Sequence, residues 1–253
     1  AAKLTHPNIV IAYDAGCSPA GQHYLVMEYV EGSDLSSYVK QRGPLTPLTA
    51  IRCLLQAAQG LAFAHEKGVV HRDIKPGNLL VDAKGTVKVL DMGLARLDSA
   101  GERQDELTGT GQIMGTVDYM APEQALDTKH ADARADIYSL GITLWYLLSG
   151  KPAYGGETAV AKLMAHQQRP IPLLSSVCPQ ASPRLQTVFA KMIAKKPEDR
   201  YQSMTEVMEA LSACRLEEGT SPTVTLDRPA ELSSAATPKN PTAIGFEQTL
   251  VLA

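Results

Sequence analysis

The stretch His71-Arg72-Asp73-Ile74-Lys75-Pro76-Gly77-Asn78 decides how this chain is read. It places a carboxylate, an amine and an amide within six residues. Transfer of a phosphoryl group needs a carboxylate to orient an incoming hydroxyl and accept its proton, with a metal ligand beside it. Asp73 supplies the first, and Asn78, five residues on, is spaced to reach a Mg²⁺ ion. Lys75 lies between them, where its charge can neutralise a phosphate in transit. The plain alternative is a polar loop joining a helix to a strand, and the surrounding sequence has to decide between the two.

Before the loop, Ile9–Ala15 and Tyr24–Tyr29 read as short buried strands, separated by a turn around Pro19 and Gly21. Glu31-Gly32-Ser33-Asp34 reads as a hinge-like loop, with Asp34 capping a short helix over Leu35–Gln41. A longer helix starts at the cap Thr46 and Pro47 and ends at Gly68. Its apolar stripe is Ile51, Leu54, Leu55, Ala58, Leu61 and Ala62. After the loop, Leu79–Val81 and Val87–Val89 form two small strands around the turn Asp82-Ala83-Lys84-Gly85. Asp136–Leu148 is apolar nearly all round and belongs at the centre of a domain. Helices over Thr158–Gln168, Arg184–Ala194 and Met204–Cys214 complete a second half that is almost wholly helical.

With these motifs in place, the chain resembles the protein kinase family, and Lys75 two residues after the loop aspartate resembles its serine/threonine branch. The likeness runs from His6-Pro7-Asn8-Ile9-Val10 to about Leu211 and has the style of the bacterial members. It implies an α+β fold of protein-kinase type, mainly a helical C-lobe with a partial N-lobe made of the hinge and last strands. It also implies ATP and Mg²⁺ as cofactors and protein serine or threonine hydroxyls as substrates. Asp91-Met92-Gly93, 18 residues after Asp73, stands where the family has its Asp-Phe-Gly metal motif. Asp91 would then share the metal with Asn78. Methionine replaces phenylalanine, and its flexible apolar chain suits the same slot.

The resemblance assigns further roles. Met27-Glu28-Tyr29-Val30 takes the place of the hinge, with Met27 as gatekeeper and backbone groups of Glu28 and Val30 toward adenine. Asp34 would reach the ribose, and Leu80 would floor the base. Gly115-Thr116 and Tyr119-Met120-Ala121-Pro122-Glu123 match the substrate-docking segment, where Thr116 would bond Asp73 and Lys75. Glu123 is expected to pair with Arg200 of Lys196-Pro197-Glu198-Asp199-Arg200-Tyr201, and Asp136 to hold backbone N–H groups near Arg72. Between Asp91 and Glu123, Thr108 and Thr110 are candidate phosphorylation sites, with Arg72 and Arg96 as their pairing arginines. Gly77 sits where some relatives read basic substrates through an acidic residue, so that preference has no support here.

The family also has a Gly-x-Gly-x-x-Gly loop and a strand lysine paired to a helix glutamate. Neither occurs in this sequence. Only Gly16 and Gly21 precede the hinge, and Lys3 comes too late in the pattern. A truncated chain is the reading favoured by intact downstream positions; a non-catalytic pseudokinase or scaffold is the alternative. The 253-residue chain is accordingly expected to transfer phosphate poorly or not at all. Small-molecule phosphotransfer is disfavoured by Lys75 and by the docking segment. The domains expected are 1–30 (N-lobe remnant and hinge), 31–214 (C-lobe) and 215–253 (a disordered Pro/Ser/Thr-rich tail).

Composition narrows the field further. A net charge of -3 gives no basic footprint for nucleic acid. No apolar run approaches the roughly 20 residues of a membrane span. Cys17, Cys53, Cys178 and Cys214 are too scattered for structural zinc or a disulfide framework, so each reads as a small buried hydrophobe in a cytoplasmic protein. A homodimer for autophosphorylation is the one self-association that the resemblance suggests.

Overall fold

The computed structural model describes residues 4–18, 21–92, 117–126 and 131–218. Its order is β1 (Ala12–Cys17), β2 (His23–Met27), β3 (Gly32–Asp34), α1 (Leu35–Arg42), α2 (Pro47–Glu66), β4 (Leu79–Asp82) and β5 (Val87–Val89), followed by helices alone. These are α3 (Pro122–Leu126), α4 (Ala133–Ser149), α5 (Ala159–Gln168), α6 (Pro183–Met192) and α7 (Met204–Glu218). Short 3₁₀ turns at Pro76–Asn78, Val117–Tyr119, Leu174–Ser176 and Pro197–Asp199 link them. Among the described residues no helix is long and apolar enough to cross a membrane.

The helices begin where side chains can satisfy their first N–H groups. Thr46 accepts from Thr49 N–H, Thr158 from Ala161 N–H and Ser182 from Leu185 N–H. The central helix α4 is buried continuously from Ala135 to Leu148, as its uninterrupted apolar run requires. Helix α2 packs against it and against α7. Gly141 lets the end of α6 come close, since a Cβ there would lie 2.5 Å from Ile193 Cγ2 and 2.9 Å from Met192 Cβ. One turn on, Trp145 stacks on Phe189 with ring centroids 6.0 Å apart.

Five expectations need correction. The N-cap of α4 is Asp132, whose Oδ1 accepts from Arg134 N–H at 2.9 Å, so the helix starts a turn before Asp136. Gly32–Asp34 is a strand: it pairs antiparallel with β4, and the order β3-β4-β5 makes a three-stranded sheet. The first two strands are shifted and largely exposed. Ile9 and Val10 are buried instead beside Val89, through Val10 N–H to Val89 O and Val89 N–H to Asn8 O, both 2.9 Å. The hairpin β1–β2 turns Tyr13, Tyr24 and Val26 to solvent, because no other described strand covers it. Helix α7 runs on to Glu218, past the boundary expected at Cys214. Finally, Cys17, expected to be buried like the others, is instead exposed because it lies on the uncovered hairpin, while Cys53, Cys178 and Cys214 are buried.

Candidate active site

The loop after α2 is held by one buried carboxylate. Asp136, fully enclosed in the first turn of α4, accepts His71 N–H at 2.9 Å and Arg72 N–H at 2.8 Å. His65, in the last turn of α2, lies 2.8 Å from the same carboxylate through Nε2. Burial opposes ionisation of Asp136, but the His65 hydrogen bond and the neighbouring His71 outweigh it and hold the carboxyl below its ordinary value. These bonds support an unusual backbone. Arg72 has φ 67°, the left-handed region, which costs a non-glycine residue about 1–3 kcal/mol.

His71 then fixes the next residues. Its Nδ1 accepts the Asp73 N–H at 3.1 Å, which leaves Nε2–H to donate to Leu90 O at 2.7 Å. Leu90 N–H in turn donates to Asn78 O at 2.9 Å. Asp91 is thus set beside the loop, and its own φ of 64° is the second left-handed non-glycine conformation among the described residues. Met92 is buried in the core, the slot expected for it.

At the centre, Lys75 Nζ lies 2.7 Å from Asp73 Oδ2. Asn78 Nδ2 donates to Asp73 Oδ2 at 3.0 Å and to Asp73 O at 2.8 Å. The Asp73 side chain keeps 40% of its surface open, so a hydroxyl can approach it. Burial raises the Asp91 carboxyl, a shift that His71 and Lys75 counter and Asp73 reinforces. A cation in the cleft would relieve that penalty. Among the described residues no three His, Cys, Asp or Glu side chains converge to hold a metal. The donors on offer are the Asp91 carboxylate and the Asn78 amide oxygen. This sparse, hard-oxygen set suits a magnesium-type ion completed by phosphate oxygens and water.

On the nucleotide side, Glu28 N–H is committed to Ile11 O at 2.8 Å, and the Glu28 carboxylate pairs with Lys88 and accepts Ile11 N–H. Met27 ends β2 with its side chain partly exposed, and Leu80, opposite Asp34 in the sheet, is half-buried. Both oxygens of Asp34 serve the cap of α1, through Ser37 N–H at 2.8 Å and Ser37 Oγ at 2.6 Å. A ribose would have to share them.

The docking side is tied down by Arg200, which is 2% exposed. Its two terminal nitrogens each lie 2.7 Å from one oxygen of Glu123. The remaining donors reach the carbonyls of Ala194, Arg134 and Lys195, and the guanidinium lies 4.8 Å from the Tyr138 ring centroid. Ser139 Oγ donates to Tyr119 O at 2.8 Å, and a partly buried Lys162–Asp118 pair fixes the 3₁₀ turn to α5. Arg72, Asp73, Ile74, Tyr119, Met120 and Ser139 together line a small depression between loop and docking segment. Arg96, Thr108, Thr110 and Thr116 lie outside the described residues.

Sequence reasoning did not single out His65, Gln124 or Ser139. His65 carried a weak signal as the basic residue in the last turn of α2, facing a helix C-terminus. Gln124 and Ser139 carried none, since the partners that give them meaning, Arg72 and Tyr119, are distant in sequence.

Comparison with known proteins places this geometry. The model of the protein kinase domain matches residues 1–211. Serine/threonine-protein kinase PknB of Mycobacterium tuberculosis is 42% identical over 211 residues, covering 82% of this chain and 33% of that protein. Serine/threonine-protein kinase Pkn1 of Myxococcus xanthus is 42% identical over 218 residues, covering 85% and 30%. A probable serine/threonine-protein kinase PknB of Lactococcus lactis is 39% identical over 207 residues, covering 82% and 32%. The chain spans about a third of the length of these relatives.

Proposed function

Since the chain belongs to the protein kinase domain family, we propose that it carries the catalytic half of a domain that moves the terminal phosphoryl group of ATP to serine or threonine hydroxyls of proteins. The observation that carries this reading is the contact cluster of Asp73, Lys75 and the buried Asn78, with the Asp73 carboxylate open to solvent and set beside Asp91.

Asp73 orients the incoming hydroxyl and accepts its proton. Lys75 steadies the negative charge of the group in transit, and Asn78 keeps the Asp73 carboxylate in place while presenting its amide oxygen to the cleft. Asp91 and Asn78 would hold Mg²⁺, which supplies charge neutralisation at the ATP phosphates. The Glu28 carbonyl and Val30 N–H receive the adenine edge, with Met27 behind it, Leu80 beneath it and Asp34 toward the ribose. Glu123, Arg200 and Asp136 are scaffold, and Thr116 belongs to the docking segment that presents the substrate.

Regulation follows the same electrostatics. A phosphate on Thr108 or Thr110, about -1.5 to -2 in charge, would be paired by Arg72 and Arg96. ATP is the donor of that phosphate, and a second copy of the kinase is the natural catalyst of its transfer. Residues 1–30, 31–214 and 215–253 are proposed to act as hinge-side remnant, catalytic body and tail, in a cytoplasmic setting.

The test is transfer of labelled γ-phosphate from Mg-ATP to a protein acceptor, by the 253-residue chain and by any longer natural form of it. Labelled phosphoserine or phosphothreonine is expected from the longer form, with little or none from the 253-residue chain, and Asp73→Asn removes it. Equal and measurable transfer by the longer form and its Asp73→Asn variant would overturn the assignment.

A further inference from the structure

The peptide unit that joins Arg72 to Asp73 is restrained at both poles. Its N–H is taken by His71 Nδ1 at 3.1 Å, and its carbonyl accepts Gln124 Nε2–H at 2.9 Å. Gln124 belongs to α3, in the docking segment, and is 3% exposed. Its Oε1 accepts the Ala121 N–H at 3.1 Å. One amide side chain therefore spans two segments more than 45 residues apart in sequence, with a single polar atom facing each.

The place of contact gives this bridge its meaning. Arg72 occupies the left-handed region, a conformation that persists in a non-glycine residue only where surrounding groups impose it. The central helix imposes it through Asp136 on the Arg72 N–H. The docking segment imposes it through Gln124 on the Arg72 carbonyl. Without the second restraint the 72–73 peptide can rotate, which breaks the Asp73 N–H bond to His71 and swings the Asp73 carboxylate.

We infer that Gln124 is a positioning residue that couples the docking segment to the orientation of Asp73. Placing the docking segment correctly thereby sets the carboxylate, and displacing it releases the carboxylate. The inference rests on the reading of Asp73 as the proton acceptor.

Two substitutions separate the ends of the bridge. Gln124→Glu keeps an oxygen for Ala121 N–H but turns a carboxylate toward the Arg72 carbonyl. Gln124→Met, similar in volume, removes both bonds. Amide exchange measured by NMR reads each end without any need for turnover. Asp73 N–H is expected to exchange about tenfold faster in both variants, the scale of one lost buried hydrogen bond. Ala121 N–H should exchange faster in Gln124→Met alone, and core amides of α2 and α4 should keep their rates. Unchanged exchange at Asp73 in both variants overturns the inference, as does a rise shared by α2 and α4, which would mark Gln124 as packing only. In phosphoryl transfer, kcat falls while the KM for ATP is retained. Should Asp73→Asn prove as active as wild type, the proton-acceptor reading falls, and the coupling is still decided by the exchange rates.

Discussion

Asn78 Nδ2 donates to both the backbone carbonyl and the carboxylate of Asp73, at 2.8 and 3.0 Å, so one amide fixes a residue at two points. Replacing it removes the restraint and the amide oxygen together. Asn78→Ala is expected to lower phosphoryl-transfer kcat on the order of 100-fold or more, the usual scale for a mispositioned proton acceptor. Asn78→Asp should be no better, because a carboxylate there repels Asp73. Steady-state rates with Mg-ATP and a protein acceptor check both.

The Glu123–Arg200 pair should behave as a buried ion pair, with one partner wholly enclosed. Arg200→Met leaves Glu123 uncompensated, and Glu123→Gln leaves the guanidinium charge unmatched. Each is expected to cost about 3–5 kcal/mol. The double replacement Glu123→Gln with Arg200→Met should recover part of that loss. Urea unfolding midpoints read the cycle, and simple additivity of the two single losses would refute the pairing energy.

Stability should fall in mild acid because of His166. Its ring is fully buried, with Nδ1 2.8 Å from Tyr138 OH and Lys195 bonded to its carbonyl. Burial, then the Lys195 charge, pulls its pKa from 6.5 down to about 4. The unfolded chain takes up a proton below 6.5 that the folded chain refuses until about 4. Stability is therefore flat above that window and declines within it, by up to about 1.4 kcal/mol per pH unit. Urea midpoints from neutral pH to pH 4.5 should slope more steeply in wild type than in His166→Gln. Parallel slopes would sink the prediction.

Thiol chemistry should separate the cysteines. Cys17 is exposed on the hairpin, whereas Cys53 lies in α2 with its thiol pushed up to about 12 by burial. A disulfide reagent such as DTNB is expected to titrate one thiol quickly in the native chain and four in denaturant. Rapid release of more than one equivalent under native conditions would contradict the fold.

Much of this was legible because its cause is local. Thr46-Pro47, Thr158 and Asp34 are helix starts that depend on residues within one turn, and α4 could be placed by apolar content alone. The eight residues from His71 to Asn78 carry their chemistry in their spacing. What escaped depends on partners far along the chain. Nothing near Gly32 reveals that it will pair with Asp82, and Asp132 and Asp136 are equally good caps on paper. Only the fold separates them, by giving Asp132 a backbone N–H of its own helix and Asp136 those of the loop. The hairpin strands were misjudged for the related reason that β propensity reports a pleated surface, not what covers it. Gln124 is invisible for the same cause, its meaning lying entirely in Arg72.

The stacking of Trp145 on Phe189 has a spectroscopic consequence. The chain has one tryptophan, and it sits between α4 and α6 at 6% exposure. Indole emission thus comes from a single address inside the helical body. Fraying of the tyrosine-bearing hairpin would leave that emission where it is, while separation of α4 from α6 would move it to the red. The molecule carries its own optical label for one half of its structure, and the other half is dark at the same wavelength.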